Sequence, residues 1–257
     1  IVPFYNSADT LSACVESLLA QEFADGFEII CIDNNSTDGG ADTVPRDPRV
    51  RILAEPRQGA YAARNTGVRA ANGPVLLFTD PDCIASTNWI AAHVAKLRAG
   101  ARVSLGRVQH GGRGRILALL SEYDHARQEI VFGERIALHY FGYTNNLATT
   151  RETWQAIGPF EERERGADTI FVQRVAAQFG ADAVSYANEA SVDHLEVNSV
   201  GEYLHKMFLY GRSSKLFRGF AEPAPPAWHV RRRAVRNALN ALRGGILDRA
   251  RLVGTLS

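Results

Sequence analysis

The sequence predicts an α/β protein, a mostly parallel sheet with helices on both faces, followed by a basic helical C-terminal extension. Three observations lead there. Continuous apolar runs such as FEIICID (27–33) and PVLLFTD (74–80) are too short for typical helices and read as strands covered on both faces. Segments of helical period alternate with them, the pattern of a parallel sheet. The 257 residues, 46% of them hydrophobic, are enough for one large domain, or one domain with an appendage.

Residues 1–5 are a short apolar piece, after which Asn6 and Ser7 offer a helix cap. Leu11, Cys14, Val15, Leu18 and Leu19 follow at helical spacing. Strand 27–33 runs into the loop NNSTDGG, and RVRILAE (49–55) is the next strand. AYAARNTGVRAAN (60–72) is a helix of small residues, suited to close packing. After strand 74–80, Thr87 to Ala99 form a helix with Ile90, Val94 and Leu97 on one face, and ARVSLGRV (101–108) is a further strand. The second half changes character. Gly111 to Gly114 make a glycine–arginine loop, and Ile116 to Val131 a helix with Ile116, Leu119, Leu120 and Tyr123 as its apolar stripe. After FGYTNNLATT, a short helix from Arg151 to Ile157 stops at Gly158-Pro159. The charged loop FEERERGAD leads to a helix from Thr169 to Phe179, capped by Asp168 and ended by Gly180. AVSYAN (183–188) is a strand, and ASVDHLE leaves it. An amphipathic segment runs from Ser199 to Phe220; Pro223, Pro225 and Pro226 break the chain; a last basic helix covers about 228–243. No internal repeat is visible.

The formal net charge of +1 gives no global bias toward nucleic acid. The charge is unevenly placed. Residues 201–257 hold eleven Lys/Arg against three Asp/Glu, and residues 1–200 hold eighteen against twenty-five. A basic tail on an acidic body points to an anionic surface or ligand, or to a solvated helix face. Cys14, Cys31 and Cys83 lack metal spacing and read as reduced, buried thiols of a cytosolic protein. No apolar run reaches the ~18 residues of a membrane span, and no signal peptide is visible. The chain begins without methionine, in what reads as the end of a strand, so residues are expected before Ile1.

Ligands of parallel sheets bind beyond the carboxyl ends of the strands. That rule brings together two clusters far apart in sequence, Asp33-Asn34-Asn35 and Asp80-Pro81-Asp82. An Asp-x-Asp at a strand end can hold a hard cation such as Mg2+ or Mn2+ together with a diphosphate; alone, it is also an Asx turn. Asp33 and Asn34 can accept from the ring N–H groups of a nucleobase, or merely cap the next helix. His194 leaves a strand beside Asp193 and can complete a metal site as a neutral imidazole. Asp168 can be a helix cap or a general base.

Taken together these motifs resemble the family 2 glycosyltransferases. The likeness begins at PFYNSADTLSACVESLLAQ, continues through IICIDNNSTDGG and GAYAARNTGVRAANGPVLLFTDPDC, resumes at NNLATTRETWQAIGPFEERERGAD and ends near HLEVNSVGEYLHKMFLYGRSS, roughly residues 1–215. It implies a GT-A fold, with a catalytic domain over 1–200 (a nucleotide-sugar half to residue 108, an acceptor half from 109) and an extension from 201. It further implies a base pocket at Pro3, Phe4, Asp33 and Asn34, and ribose and metal binding at Asp80 and Asp82, with Asp82 the stronger ligand. His194 then helps hold the metal or diphosphate, Arg212 in Tyr210-Gly211-Arg212 meets the diphosphate, and Asp168 activates the acceptor. The implied reaction is a metal-dependent, inverting transfer from a nucleoside-diphosphate sugar to a hydroxyl of a carbohydrate or lipid-linked acceptor.

The chain departs from the family pattern in three places. Asn34 stands where an aspartate is common, Cys83 follows Asp-x-Asp where an acid is common, and Ala167 replaces the usual glutamate before the base. The last change removes a like charge and should lower the pKa of Asp168. These departures motivate an alternative, a catalytically degenerate module that binds sugar nucleotides. A sugar-phosphate nucleotidyltransferase would need a glycine-rich basic loop after the first strand, and PFYNSADT is neither; a dehydrogenase would need Gly-x-Gly-x-x-Gly after a strand, which is absent. In the tail, Arg231-Arg232-Arg233, Arg236 and Arg243 accompany Trp228, Val230, Val235, Leu239 and Leu242, a basic amphipathic helix able to lie on an anionic membrane. The expected location is cytoplasmic, with possible peripheral attachment to the inner membrane face.

Overall fold

The computed structural model describes residues 1–110, 114–213 and 228–254, with side chains described except at Leu138, 210–213 and 242–254. Residues 111–113 of the glycine–arginine loop, the Pro223–Pro226 break, and the side chains of Tyr210, Arg212, Leu242 and Arg243 lie outside the described residues.

The order of elements is β1 (Val2–Phe4), α1 (Leu11–Leu19), β2 (Ile29–Asp33), β3 (Val50–Ala54), α2 (Ala60–Ala70), β4 (Val75–Thr79), β5 (Cys83–Ala85) and α3 (Trp89–Arg98), then β6 (Val103–His110), α4 (Arg115–Gly133), β7 (Asn146–Thr150), α5 (Arg151–Ile157), α6 (Ala167–Phe179), β8 (Val184–His194), α7 (Val200–Ser213) and α8 (Trp228–Gly254). β1, β2 and β3 form a parallel three-stranded sheet, with Phe4 opposite Asp33 and Asp33 opposite Ala54. β4 runs beside β1, since Thr79 N–H donates to the Ile1 carbonyl at 3.3 Å and the Ile1 nitrogen to the Leu77 carbonyl at 2.9 Å. The carboxyl ends of β2 and β4 therefore flank that of β1, and Asp33 and Asp80 face the same side of the molecule.

The second sheet has the order β4-β7-β6-β8-β5 and is mixed. β6 and β8 pair in parallel, whereas β4–β7, β6–β7 and β5–β8 are antiparallel. Parallel pairing thus dominates the first half and gives way to mixed pairing in the second. The reason is β7, which returns after α4 and wedges between β4 and β6. Neither β5 nor β7 was expected from the sequence. Both are short, and β7, NLATT, lacks the apolar run that marked the other central strands. β8 is also longer than AVSYAN, because the pairing to β6 slips after Gly106 and resumes with Arg107 opposite Ser191 and His110 opposite His194.

The core follows the pattern of the apolar runs. One cluster joins Phe78, Leu105, Leu147, Trp154, Phe160 and Phe171 between the mixed sheet and α4–α6, and another joins Val2, Phe4, Leu11, Val15, Cys31 and Trp89. α1 begins after Thr10, so Asn6 and Ser7 form a turn rather than the expected cap, with Asn6 Oδ1 accepting from Thr37 N–H at 2.8 Å. On α4, Leu117 turns inward and Ile116 is 62% exposed, which removes Ile116 from the predicted stripe. On α8, Val230, Ala234 and Ala238 are buried and Trp228, Val235 and Leu239 are exposed, so Val230 does not share their row as expected. Among the described residues no helix is long and apolar enough to cross a membrane.

Candidate active site at the carboxyl ends of the strands

The β1–β2 ends form one wall. Phe4 is buried among core residues and its carbonyl accepts from Asn34 N–H at 2.9 Å; Pro3 is also buried. These residues reach the cleft through their backbone and not through the Phe4 ring. Asp33 is half-buried, and Ser36 N–H donates to its Oδ1 at 2.8 Å. Asn34 is 3% exposed, and its amide is held on all sides. Nδ2 donates to the carbonyls of Glu55 and Arg57, both at 2.8 Å, while Oδ1 accepts from Gly59 N–H at 2.7 Å. Asn34 therefore ties β2 to the 55–59 loop, with no donor left over for a base. Two carbonyls to satisfy explain why an amide, and not an acid, suits this position.

The β4–β5 turn forms the metal-like part. Asp82 and His194 meet because Cys83 and His194 are paired across β5 and β8. His194 Nε2 lies 3.6 Å from Asp82 Oδ2, and ligand atoms of Asp82, Cys83 and His194 all fall within 4.8 Å of one another. Lys206, from α7, reaches within 3.5 Å of His194 Nε2 and pairs with Glu196 at 2.5 Å. Burial pushes the Asp82 carboxyl up and the His194 imidazole down, so burial disfavours the charged form of each. Burial also drives the Cys83 thiol well up, which keeps it protonated and a poor ligand. Asp80 is outside this cluster. Its Oδ1 is paired with the buried Arg64 guanidinium, and its carbonyl accepts from Cys14 Sγ at 3.3 Å.

Asp168 is not the cap predicted from the sequence. α6 begins two residues earlier, at Ala167 after Gly166, whose φ of 83° lies in the left-handed region that glycine favours. Asp168 thus sits in the first turn. Thr169 N–H donates to its Oδ1 at 2.8 Å and Thr144 N–H to its Oδ2 at 3.3 Å. Burial pushes its carboxyl up; the Thr169 N–H, the Arg64 charge, the Tyr61 hydroxyl and the Thr144 N–H offset this only in part. Whatever the missing like charge at Ala167 takes away, desolvation keeps the Asp168 carboxyl above the ordinary aspartate value. Gly142 packs against this turn so closely that a Cβ there would lie 2.4 Å from the Asp168 carbonyl oxygen.

The sequence reading passed over helix α2, taking it only as a helix of small residues. Its 61/64/65 face joins the two halves. Tyr61 Oη accepts from Gly166 N–H at 3.1 Å, Arg64 pairs with Asp80, and Asn65 bonds both the nitrogen and the carbonyl of Phe160, at 3.1 and 2.9 Å. The 3–4 residue spacing of Tyr61, Arg64 and Asn65 within an otherwise alanine-rich helix was the available signal. Asn146 was missed as well. Its Nδ2 donates to the Arg107 and Ala190 carbonyls at 2.8 and 2.9 Å and its Oδ1 accepts from Trp89 Nε1 at 2.8 Å, which fixes the bulge that delivers His194. A mostly apolar cavity of about 410 Å³ opens at the amino ends of β1, β2 and β4, lined by Leu18, Phe27, Ile30, Leu77, Trp89 and Val94. It is not the candidate site, because the converging acids lie at the opposite ends of the strands.

A sheet with this crossover pattern and acids at its carboxyl edge defines the GT-A class of glycosyltransferase folds. The chain belongs to glycosyl transferase family 2, whose profile matches residues 1–168. It is 27% identical to the glycosyltransferase AglE of Haloferax volcanii, over 82% of this chain and 71% of the relative. It is also 27% identical to the succinoglycan biosynthesis protein ExoO of Rhizobium meliloti, over 96% and 80%. Glucosyl-3-phosphoglycerate synthase from Mycobacterium tuberculosis, solved with Mn2+, UDP and glucosyl-3-phosphoglycerate, has a similar structure (TM-score 0.61, 17% identity, 87% of this chain and 80% of that one). S. aureus TarS 1–349, solved with UDP-GlcNAc, superposes with a TM-score of 0.58 at 19% identity, over 79% and 59%.

Proposed function

We propose that this glycosyltransferase moves a sugar from a nucleoside-diphosphate sugar to an acceptor hydroxyl in one displacement, with inversion. The observation behind the reading is the pairing of Asp82 with His194 at the strand ends, on the same side of the molecule as the half-buried carboxyl of Asp168. Asp33 and the backbone of Pro3 and Phe4 border the base, on a loop that Asn34 holds in place. Asp80, steadied by Arg64, faces the ribose and the metal site. Arg212 is assigned to the diphosphate from the family pattern alone.

Mg2+ or Mn2+ fits the remaining donors. His194 Nε2 lies 3.6 Å from an Asp82 carboxylate oxygen, and ligand atoms of Asp82, Cys83 and His194 all fall within 4.8 Å of one another, an N/O donor set that suits such a cation. A divalent cation bound by Asp82 and His194, with Asp80 nearby, would supply positive charge to a leaving diphosphate. Lys206 adds a second positive charge to that side. Asp168 accepts the proton of the attacking hydroxyl at its carboxylate. Its raised pKa makes it a stronger base than an exposed aspartate, and two backbone N–H groups fix its plane. Neighbours solved with UDP-sugar ligands and Mn2+ support the donor and metal classes.

The acceptor on this reading is a carbohydrate or a lipid-linked sugar, reached from the cytoplasmic side of a membrane. A related enzyme is a glucosyltransferase described as acting on a GlcNAc-diphosphoundecaprenol, which supports the lipid-linked class. The test is release of nucleoside diphosphate from UDP-glucose and UDP-GlcNAc, with and without Mn2+. Metal-dependent release that disappears in Asp168→Asn supports the proposal; no release with any donor favours a binding module.

A further inference from the structure

Helix α8 packs on α4 through its smaller side chains and turns its larger apolar ones outward. Val230, Ala234 and Ala238 are 1, 0 and 1% exposed, and Arg233 Nη1 lies 2.5 Å from Glu134 Oε1 of α4. Trp228, Val235 and Leu239 stand at i, i+7 and i+11, one row on an α-helix, and are 61, 48 and 42% exposed. Arg231, Arg232 and Arg236 are exposed beside that row, with the Arg231 guanidinium 5.4 Å from the Trp228 ring centroid. Of these arginines none has an ion pair among the described residues. A surface helix ordinarily buries its largest apolar residues and exposes small or charged ones. Here the order is reversed, inside a segment with a surplus of eight positive charges.

We propose that the outer face of α8 docks on an anionic lipid surface, its arginines at the headgroups and Trp228, Val235 and Leu239 at the boundary with the acyl chains. A tryptophan between arginines, with one apolar row behind it, is the chemistry of a lipid interface. A second copy of the chain is a poorer occupant. A stable protein contact needs about 800 Å² per partner with matched shape, and one row of three apolar side chains does not provide that. A fluid lipid surface asks only for charge and apolar depth. The proposal deepens the reading above, since a lipid-linked acceptor would be presented at this surface, and it needs no transfer to be tested.

The full chain is sedimented with vesicles of phosphatidylcholine alone and with vesicles in which about a third of the lipid is phosphatidylglycerol. Each arginine near an anionic leaflet should strengthen binding about fivefold, so Arg231→Ala/Arg232→Ala/Arg236→Ala should weaken it about a hundredfold. Raised salt should weaken it too, and Trp228 emission should shift to the blue on binding. Val235→Ser/Leu239→Ser, at exposed positions that leave the α4 contact intact, should weaken binding with little change in melting temperature. Equal or absent binding to both vesicle types, or a triple variant that binds like the parent, overturns the proposal. So does a dimer in light scattering that the Val235→Ser/Leu239→Ser protein loses, since a second copy would then cover the face. Asp168→Asn should bind vesicles like the parent, so a failure of the catalytic reading is recognised separately.

Discussion

Replacing Asn34 by aspartate should destabilise this protein. Asn34 is 3% exposed, and its Nδ2 donates two hydrogen bonds of 2.8 Å to the Glu55 and Arg57 carbonyls. An aspartate keeps the bond from Gly59 N–H but sets carboxylate oxygen against two carbonyl oxygens. Each lost bond removes about 0.5–1.5 kcal/mol net, and leaving buried acceptors unpaired costs more, so the sum is about 2–4 kcal/mol. For a chain of this size, at about 2–4 °C per kcal/mol, the melting temperature should fall by about 4–16 °C. The effect should depend on pH. A buried carboxyl facing carbonyls has its folded-state pKa raised, because only the protonated form can donate. The stability of the variant is then greatest below its unfolded pKa and is lost as pH rises through the folded one. Thermal unfolding followed by circular dichroism at pH 5 and pH 8 should show the larger loss at pH 8. An unchanged melting temperature, or the same loss at both pH values, would refute the reasoning.

Asp168→Asn should keep donor binding, seen as a thermal shift with UDP and Mn2+, while turnover falls about 10²–10⁴-fold; full activity would remove Asp168 from the mechanism. Gly142→Ala should push the first turn of α6 aside, since a Cβ there would meet the Asp168 carbonyl oxygen at 2.4 Å. Steady-state kinetics should show kcat down by about 10²-fold with little change in donor KM, because a misplacement of about 1 Å is enough for such a loss. Mn2+ affinity, titrated by paramagnetic resonance at pH 5, 6 and 7.5, should fall on acidification at a higher pH than for an exposed carboxylate. Burial raises the Asp82 pKa, so the proton competes earlier there, while the lowered His194 pKa makes the imidazole take a proton later than a free one would. Affinity that does not change with pH would contradict this site.

Much of the frame of the candidate site was legible because its strands are continuous apolar runs that end in acids. FEIICID and PVLLFTD announce both the strand and the residue at its end, and parallel topology makes the ends neighbours. The position of Asp168 was legible but its role as a cap was misread, because the early start of α6 depends on the left-handed Gly166 and on Tyr61 from a helix a hundred residues earlier. Its raised pKa was not legible for a similar reason: burial is a property of the packed fold, and the sequence showed only the missing glutamate. The length of β8 was hidden because a bulge breaks its alternation, and Asn146, which stabilises that bulge, carries no local sign of its partners Arg107, Ala190 and Trp89. The use of Asn34 was open in sequence, since an amide can serve a base or a loop equally well; three short bonds decide for the loop.

The central claim, an inverting and metal-dependent transfer, is tested most directly by the anomer that is released first. UDP-α-glucose hydrolysed by the protein with Mn2+, and followed by proton NMR faster than mutarotation, should give β-glucose as the initial product and no release once the metal is chelated. α-Glucose as the first product, or release that continues without metal, would contradict the account.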